Sequence, residues 1–181
     1  MKITVQKDMT IQDLAPYLKP VEQFCNEKKQ KGCWDDWDEA AHTREWLVHV
    51  LDSIQAGNGD VLDIWYMEKN GEIAGSAFVL SNSSLVYETL AKDSISAEHP
   101  AAHFTCFHIV KEYRGMGLGG KWMAEICSDL RCRGIRTMYI RSSHHTALPL
   151  YERLGTLVGS YISISDHQMY RRYGYVYAVK L

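Results

Sequence analysis

The 181-residue sequence is poor in proline, with four, and poor in cysteine, with five, and it has no long apolar run. Each shortage excludes something. No stretch reaches about 18 consecutive apolar residues, so no segment is predicted to cross a membrane as a helix. Met1-Lys2-Ile3-Thr4-Val5 has no apolar stretch ahead of a small-residue cleavage site, and no signal peptide is predicted. Cys25, Cys33, Cys106, Cys127 and Cys132 are odd in number and contain no C-x-x-C pair. They read as reduced thiols of a cytoplasmic protein, and no metal is expected. Positive charge is not in surplus either. Twenty Lys+Arg against 22 Asp+Glu leave a net charge of −2, which removes the simple electrostatic case for nucleic acid or an anionic membrane. No repeat, low-complexity tract or Gly/Ser linker divides the chain.

What is there is ordinary for a globular chain: 46% hydrophobic and 23% charged residues. One domain over residues 1–181 is expected, large enough to need no disulfide or metal staple. Ile3–Gln6 reads as a first strand. Ile11, Leu14, Leu18 and Val21 recur at helical spacing, with Pro16 and Pro20 predicting a kinked or broken helix. A second helix is expected over Asp35–Ala56, closed by Gly57. Asn70-Gly71 between two apolar runs predicts a hairpin joining Val61–Met67 to Ile73–Leu80, because both turn positions need positive φ. Ser81–Pro100 reads as a long irregular connection. A strand over Ala101–Val110, an amphipathic helix over Leu118–Arg133, a strand over Thr137–Arg141 and a short helix over Leu148–Leu154 follow. Strands at Leu157–Ser165 and Tyr175–Val179, around a polar loop Asp166–Gly174, complete the pattern.

The most informative segment is Arg114-Gly115-Met116-Gly117-Leu118-Gly119-Gly120, between a strand and an amphipathic helix. Glycines there let backbone amides crowd onto a ligand, and a helix N-terminus adds partial positive charge, a combination suited to a pyrophosphate. Lys121 and Arg114 flank it with full charges. Two cofactors fit. Gly115-x-Gly117-x-x-Gly120 matches a dinucleotide fingerprint, but that reading wants an acidic residue about 20 positions on. The next strand instead ends at Arg141, suited only to a 2′-phosphate, and only one βα step precedes a hairpin. The other cofactor is coenzyme A.

For coenzyme A, the segment resembles the signature of the GNAT acyltransferase superfamily, Arg/Gln-x-x-Gly-x-Gly/Ala, preceded here by the aromatic Tyr113. Downstream, Ala147, Leu150, Tyr151, Glu152, Leu154 and Gly155 match a second family stretch; His144, Arg153 and Thr156 depart from it. The element order is also similar to that family from end to end. The resemblance implies an α/β fold with a mixed, mostly antiparallel sheet of about seven strands and helices on both faces. It implies an acetyl-CoA-dependent N-acetyltransferase acting on a small-molecule or peptide amine, as a monomer or a homodimer. Phe107-His108-Ile109 would bond the pantetheine arm, and the amides from Arg114 to Lys121 would hold the pyrophosphate. His144 would stand where an Asn contacts the cofactor arm, close to Ala147. Tyr151 matches the family's general acid; a phenol near pKa 10 stays protonated at neutral pH and can donate to a departing thiolate.

The base is open among His103, His108, Glu88 and Glu98. In a regular strand His103, six residues before Ile109, shares its face, which makes it the first candidate, with His108 off by one and read as core. The acceptor is expected at Cys33-Trp34-Asp35-Asp36-Trp37-Asp38-Glu39. There Trp34, Asp35 and Asp38 would hold a cationic amine by charge and cation–π contact, or else the carboxylates only start a helix. A non-catalytic acyl-CoA-binding domain and an NADP-dependent oxidoreductase remain the alternatives.

Overall fold

Hairpin and helix signals become a sheet in the computed structural model, which describes residues 1–31, 38–164 and 171–181. Strand β1 (Lys2–Thr4) is followed by helices α1 (Ile11–Gln30) and α2 (Glu39–Gln55), then strands β2 (Val61–Lys69) and β3 (Glu72–Ser81). Helix α3 (Ser84–Lys92), strand β4 (Ala101–Ile109), helix α4 (Leu118–Cys132), strand β5 (Thr137–Ser142) and helix α5 (Leu148–Leu154) come next, and β6 (Thr156–Ile164) and β7 (Arg171–Lys180) close the chain. The strands form one seven-stranded sheet in the order β1-β2-β3-β4-β5-β7-β6. Among the described residues only β4 and β5 run parallel; the remaining pairs are antiparallel. Asn70 and Gly71 adopt φ of 52° and 80°, the left-handed pair that the β2–β3 hairpin needs.

Each face of the sheet buries its own core. Leu14 and Leu18 of α1, Leu47 and Val50 of α2, and Val86 and Leu90 of α3 cover one face. Trp122, Met123, Ile126 and Leu130 of α4 cover the other, with Tyr151 of α5. A helical residue of Leu size gains about 2 kcal/mol from such burial, which outweighs local propensity.

That packing explains three departures from the sequence reading. α1 is one helix of 20 residues despite Pro16 and Pro20, because Leu14, Leu18 and Val21 all seat in the core and offset the lost backbone bonds. The stretch expected to be irregular contains α3: the Ser83 side chain caps it by accepting from Leu85 N, and Leu85, Val86 and Leu90 are buried. β7 begins at Arg171 rather than Tyr175, since Arg171–Gly174 pair with Tyr161–Ile164 of β6.

Candidate active site

β4 decides where the site opens. Its first half pairs on both sides, with Ala101–Phe104 opposite Thr137–Ile140 of β5. Beyond Phe104 it keeps only its β3 neighbour, while Arg141 and Ser142 of β5 continue along β7. The two parallel strands therefore part, and backbone from Thr105 to Ile109 faces the gap. The β3–β4 register shifts between Ser76 and Phe78, opposite Cys106, whose φ of 52° is left-handed.

That bulge overturns the expected parity. Ala101 and Cys106 pack with the α1–α2–α3 core, whereas Ala102, Phe104, Phe107 and Ile109 pack with the α4–α5 core. The extra residue puts His103 and His108 on the same face and Ile109 on the opposite one. His103 is buried, and neither ring nitrogen has a hydrogen-bond partner among the described residues. Burial first, and the Arg141 charge second, lower its pKa to about 4. Arg141 is itself engaged, bonded to Asp93 at 2.7 Å and stacked 3.5 Å over the Tyr161 ring.

His108, expected as core, is buried but has a charged partner. Its Nε2 lies 3.2 Å from Oε1 of Glu39, in the first turn of α2. Nε2 of His144, in the turn after β5, lies 2.8 Å from the same oxygen. Burial would raise the Glu39 pKa, but the hydrogen bonds and charges of the two imidazoles outweigh it and hold the carboxyl well below its usual range. Burial lowers the pKa of His108, opposed by Glu39. Phe24 of α1 sets both rings, with centroids 5.0 Å from His108 and 5.1 Å from His144.

Tyr151, on α5, is buried against Phe104, 6.4 Å between centroids. Burial, then the neighbouring Cys106 and Glu39, push its phenol well above the usual value, so it keeps its proton at any physiological pH. Cys106 bonds the Thr43 hydroxyl at 3.3 Å, and burial raises its thiol to about 11. Tyr151 and Cys106 thus both keep their protons at physiological pH.

The glycine turn stands at the mouth of the gap. After a 3-10 turn (Lys111–Tyr113), Gly115 and Gly117 take φ of 78° and 73°, and Gly117 caps α4 without a side chain. A Cβ at Gly115, Gly117 or Gly120 would meet nothing within 4 Å, so the turn is open on the side these glycines face. The cradle is shorter than the sequence implies. The amide of Arg114 is used on Lys111 O, and that of Lys121 on Gly117 O. The Arg114 guanidinium is also occupied, bonding both carboxylate oxygens of Glu27 and the carbonyl of Ile109, so it ties the turn to α1. Gly119 is constrained by packing: a Cβ there would stand 3.3 Å from Leu150 and 3.5 Å from Phe107. Met116 and Lys121 are exposed, and Leu118 is half-buried. The Ala147 amide is bonded to His144 O, closing the turn that presents the His144 ring.

Among the expected acceptor residues, Trp34 and Asp35 lie outside the described residues. Asp38 is the N-cap of α2, its Oδ1 accepting from Ala40 N and Ala41 N at 3.1 and 3.0 Å. Glu98 lies at the far end of β4, on Thr137 and Lys180, and Glu88 is exposed on α3. Sequence reasoning missed Glu39 as an individual: its partners are 69 and 105 positions away, and no local spacing signals them.

Fold comparison agrees with this geometry. A ribosomal-protein-alanine N-acetyltransferase from Brucella melitensis superposes with a TM-score of 0.57 at 14% identity, covering 99% of both chains. A phosphinothricin acetyltransferase from Sinorhizobium meliloti, solved in complex with AcCoA, gives 0.56 at 15% identity over 99% of this chain and 88% of that one. An N-acetyltransferase from Staphylococcus aureus Mu50 gives 0.56 at 12% identity over 99% and 98%. At such identities the likeness speaks for the fold. No curated protein sequence matches the chain. Residues 27–156 match the family model of the acetyltransferase (GNAT) family, which spans the glycine turn, the parted strands and Tyr151, and the chain belongs to that family.

Proposed function

We propose that this protein is a single-domain, cytoplasmic N-acetyltransferase that moves an acetyl group from acetyl-CoA to a primary amine of a small molecule or peptide. The observation that carries the reading is the parting of β4 from β5, with the glycine turn following the freed end of β4 and the buried, protonated Tyr151 phenol packed on Phe104 of the same strand. Acetyl-CoA supplies the activated thioester. The amides from Gly115 to Gly120 hold its pyrophosphate, and the free β4 edge at Phe107-His108-Ile109 bonds the pantetheine arm beside His144. Tyr151 donates its proton to the departing thiolate as the amine nitrogen bonds to the acetyl carbon. The amine's proton passes to an imidazole held on Glu39. His108 and His144 serve this role better than His103, because they adjoin the gap and carry a carboxylate that stabilises the imidazolium.

The dinucleotide alternative loses its support, since it needs successive parallel βα units and the sheet has one parallel pair. The test combines binding with turnover. Melting is followed with acetyl-CoA, CoA and NADPH, and thiol release is then measured over polyamines, aminoglycosides, amino acids and peptide N-termini. The reading predicts a shift with acetyl-CoA and CoA, none with NADPH, and thiol release with at least one amine. No shift with saturating acetyl-CoA overturns it; a shift without turnover on any amine makes the protein an acyl-CoA-binding module.

A further inference from the structure

We propose that Glu39, His108 and His144 form a binding site for one divalent transition-metal ion of the zinc or cobalt class. The donors are two imidazole nitrogens and a carboxylate oxygen, a set that suits such ions. Two of the three donor spacings suit them as well. Donor atoms about 2.0–2.1 Å from an ion, at octahedral to tetrahedral angles, lie roughly 2.8–3.4 Å from one another. Glu39 Oε1 lies 3.2 Å from His108 Nε2 and 2.8 Å from His144 Nε2, and all three donors fall within 4.8 Å of each other.

A purely hydrogen-bonded triad leaves an imbalance. Both imidazoles address one carboxylate oxygen, while the other, Oε2, is buried with no hydrogen-bond partner among the described residues. A buried carboxylate oxygen without a partner is costly, and a cation beside the carboxylate relieves it. The rings are already oriented by Phe24, so little ordering remains to be done on binding. Access comes from the side of His144, whose side chain is 26% exposed against 6% for His108, leaving room there for water to complete the coordination. Metal occupancy would tie up the nitrogen lone pairs and block proton transfer from an acceptor amine. That inhibition rests on the acetyltransferase reading; the binding does not.

The test titrates metal-free protein with Co²⁺ and Zn²⁺, followed by calorimetry and by the visible absorption of bound Co²⁺. We expect one ion per chain, and weaker binding as pH falls, because protons compete for the imidazoles. Glu39→Gln and His144→Ala should each weaken binding by more than about tenfold, with the cooperative melting transition retained. Cys132→Ser, which removes an exposed thiol, should bind as wild type does. The half-exposed His144 keeps the test open should Glu39→Gln fail to fold. Absence of saturable one-to-one binding, its persistence in His144→Ala, or its loss in Cys132→Ser would overturn the proposal. Metal binding without an acetyl-CoA melting shift would uphold the site and overturn the acetyltransferase reading instead.

Discussion

β4 presents two histidines, five positions apart, to the same face of the sheet, and the two halves of the strand treat them differently. In the first half, paired with both β3 and β5, His103 is buried without a hydrogen bond among the described residues. In the second half, beyond the bulge at Cys106, β5 has turned away and His108 shares a carboxylate with His144. Pairing on both sides closes a strand to ligands, whereas a strand released on one side exposes backbone and leaves room for polar side chains to converge. A histidine's chemistry here follows from which half it occupies.

The comparison breaks most sharply at the open end. Gly117→Val strains a φ of 73° and fills the cradle, so it should abolish the acetyl-CoA melting shift. In wild type, linkage at a ligand concentration 100 times Kd makes that shift worth about 2.7 kcal/mol. At the closed end, His103 should make folding sensitive to acid. Its native pKa of about 4 lies below the ordinary 6.5, so the unfolded chain takes up the proton first. Stability is then lost progressively as pH falls from 6.5 to 4, by roughly 3 kcal/mol in all. Melting measured across that range should show a smaller loss in His103→Leu than in wild type, the buried His108 accounting for part of what remains. The same variant should keep kcat within about tenfold, where loss of a general base would cost more.

Tyr151→Phe should lower kcat by about 10²-fold on an accepted amine and leave the acetyl-CoA shift in place. Unchanged turnover would reduce Tyr151 to a packing residue. The smallest effect sharpens the border of the site: Asp38→Ala removes the α2 cap and should cost about 1 kcal/mol in melting while leaving KM for a cationic amine unchanged. A raised KM would return Asp38 to the acceptor site.

Much was legible without the fold. Gly115, Gly117 and the Asn70-Gly71 turn are visible because positive φ is a local requirement that glycine and asparagine answer. The α4 stripe and the order of elements are readable from periodicity. α3 was hidden because nine residues give little periodic signal, and α1 looked broken because proline's local cost is visible while burial of Leu14 and Leu18 is not. The parity of His103 failed at one residue, the bulged Cys106, which no alternation pattern announces.

The sequence by itself therefore determined the turns, the amphipathic faces and the two family stretches, since each depends on neighbours a few positions apart. Only the tertiary structure decided which charged groups meet. Glu39, His108 and His144 come from a helix start, a strand and a loop, and they converge where β4 and β5 separate, beside the first turn of α2. Pairings over such separations are set by sheet register and helix placement, which the whole core decides and no short stretch encodes.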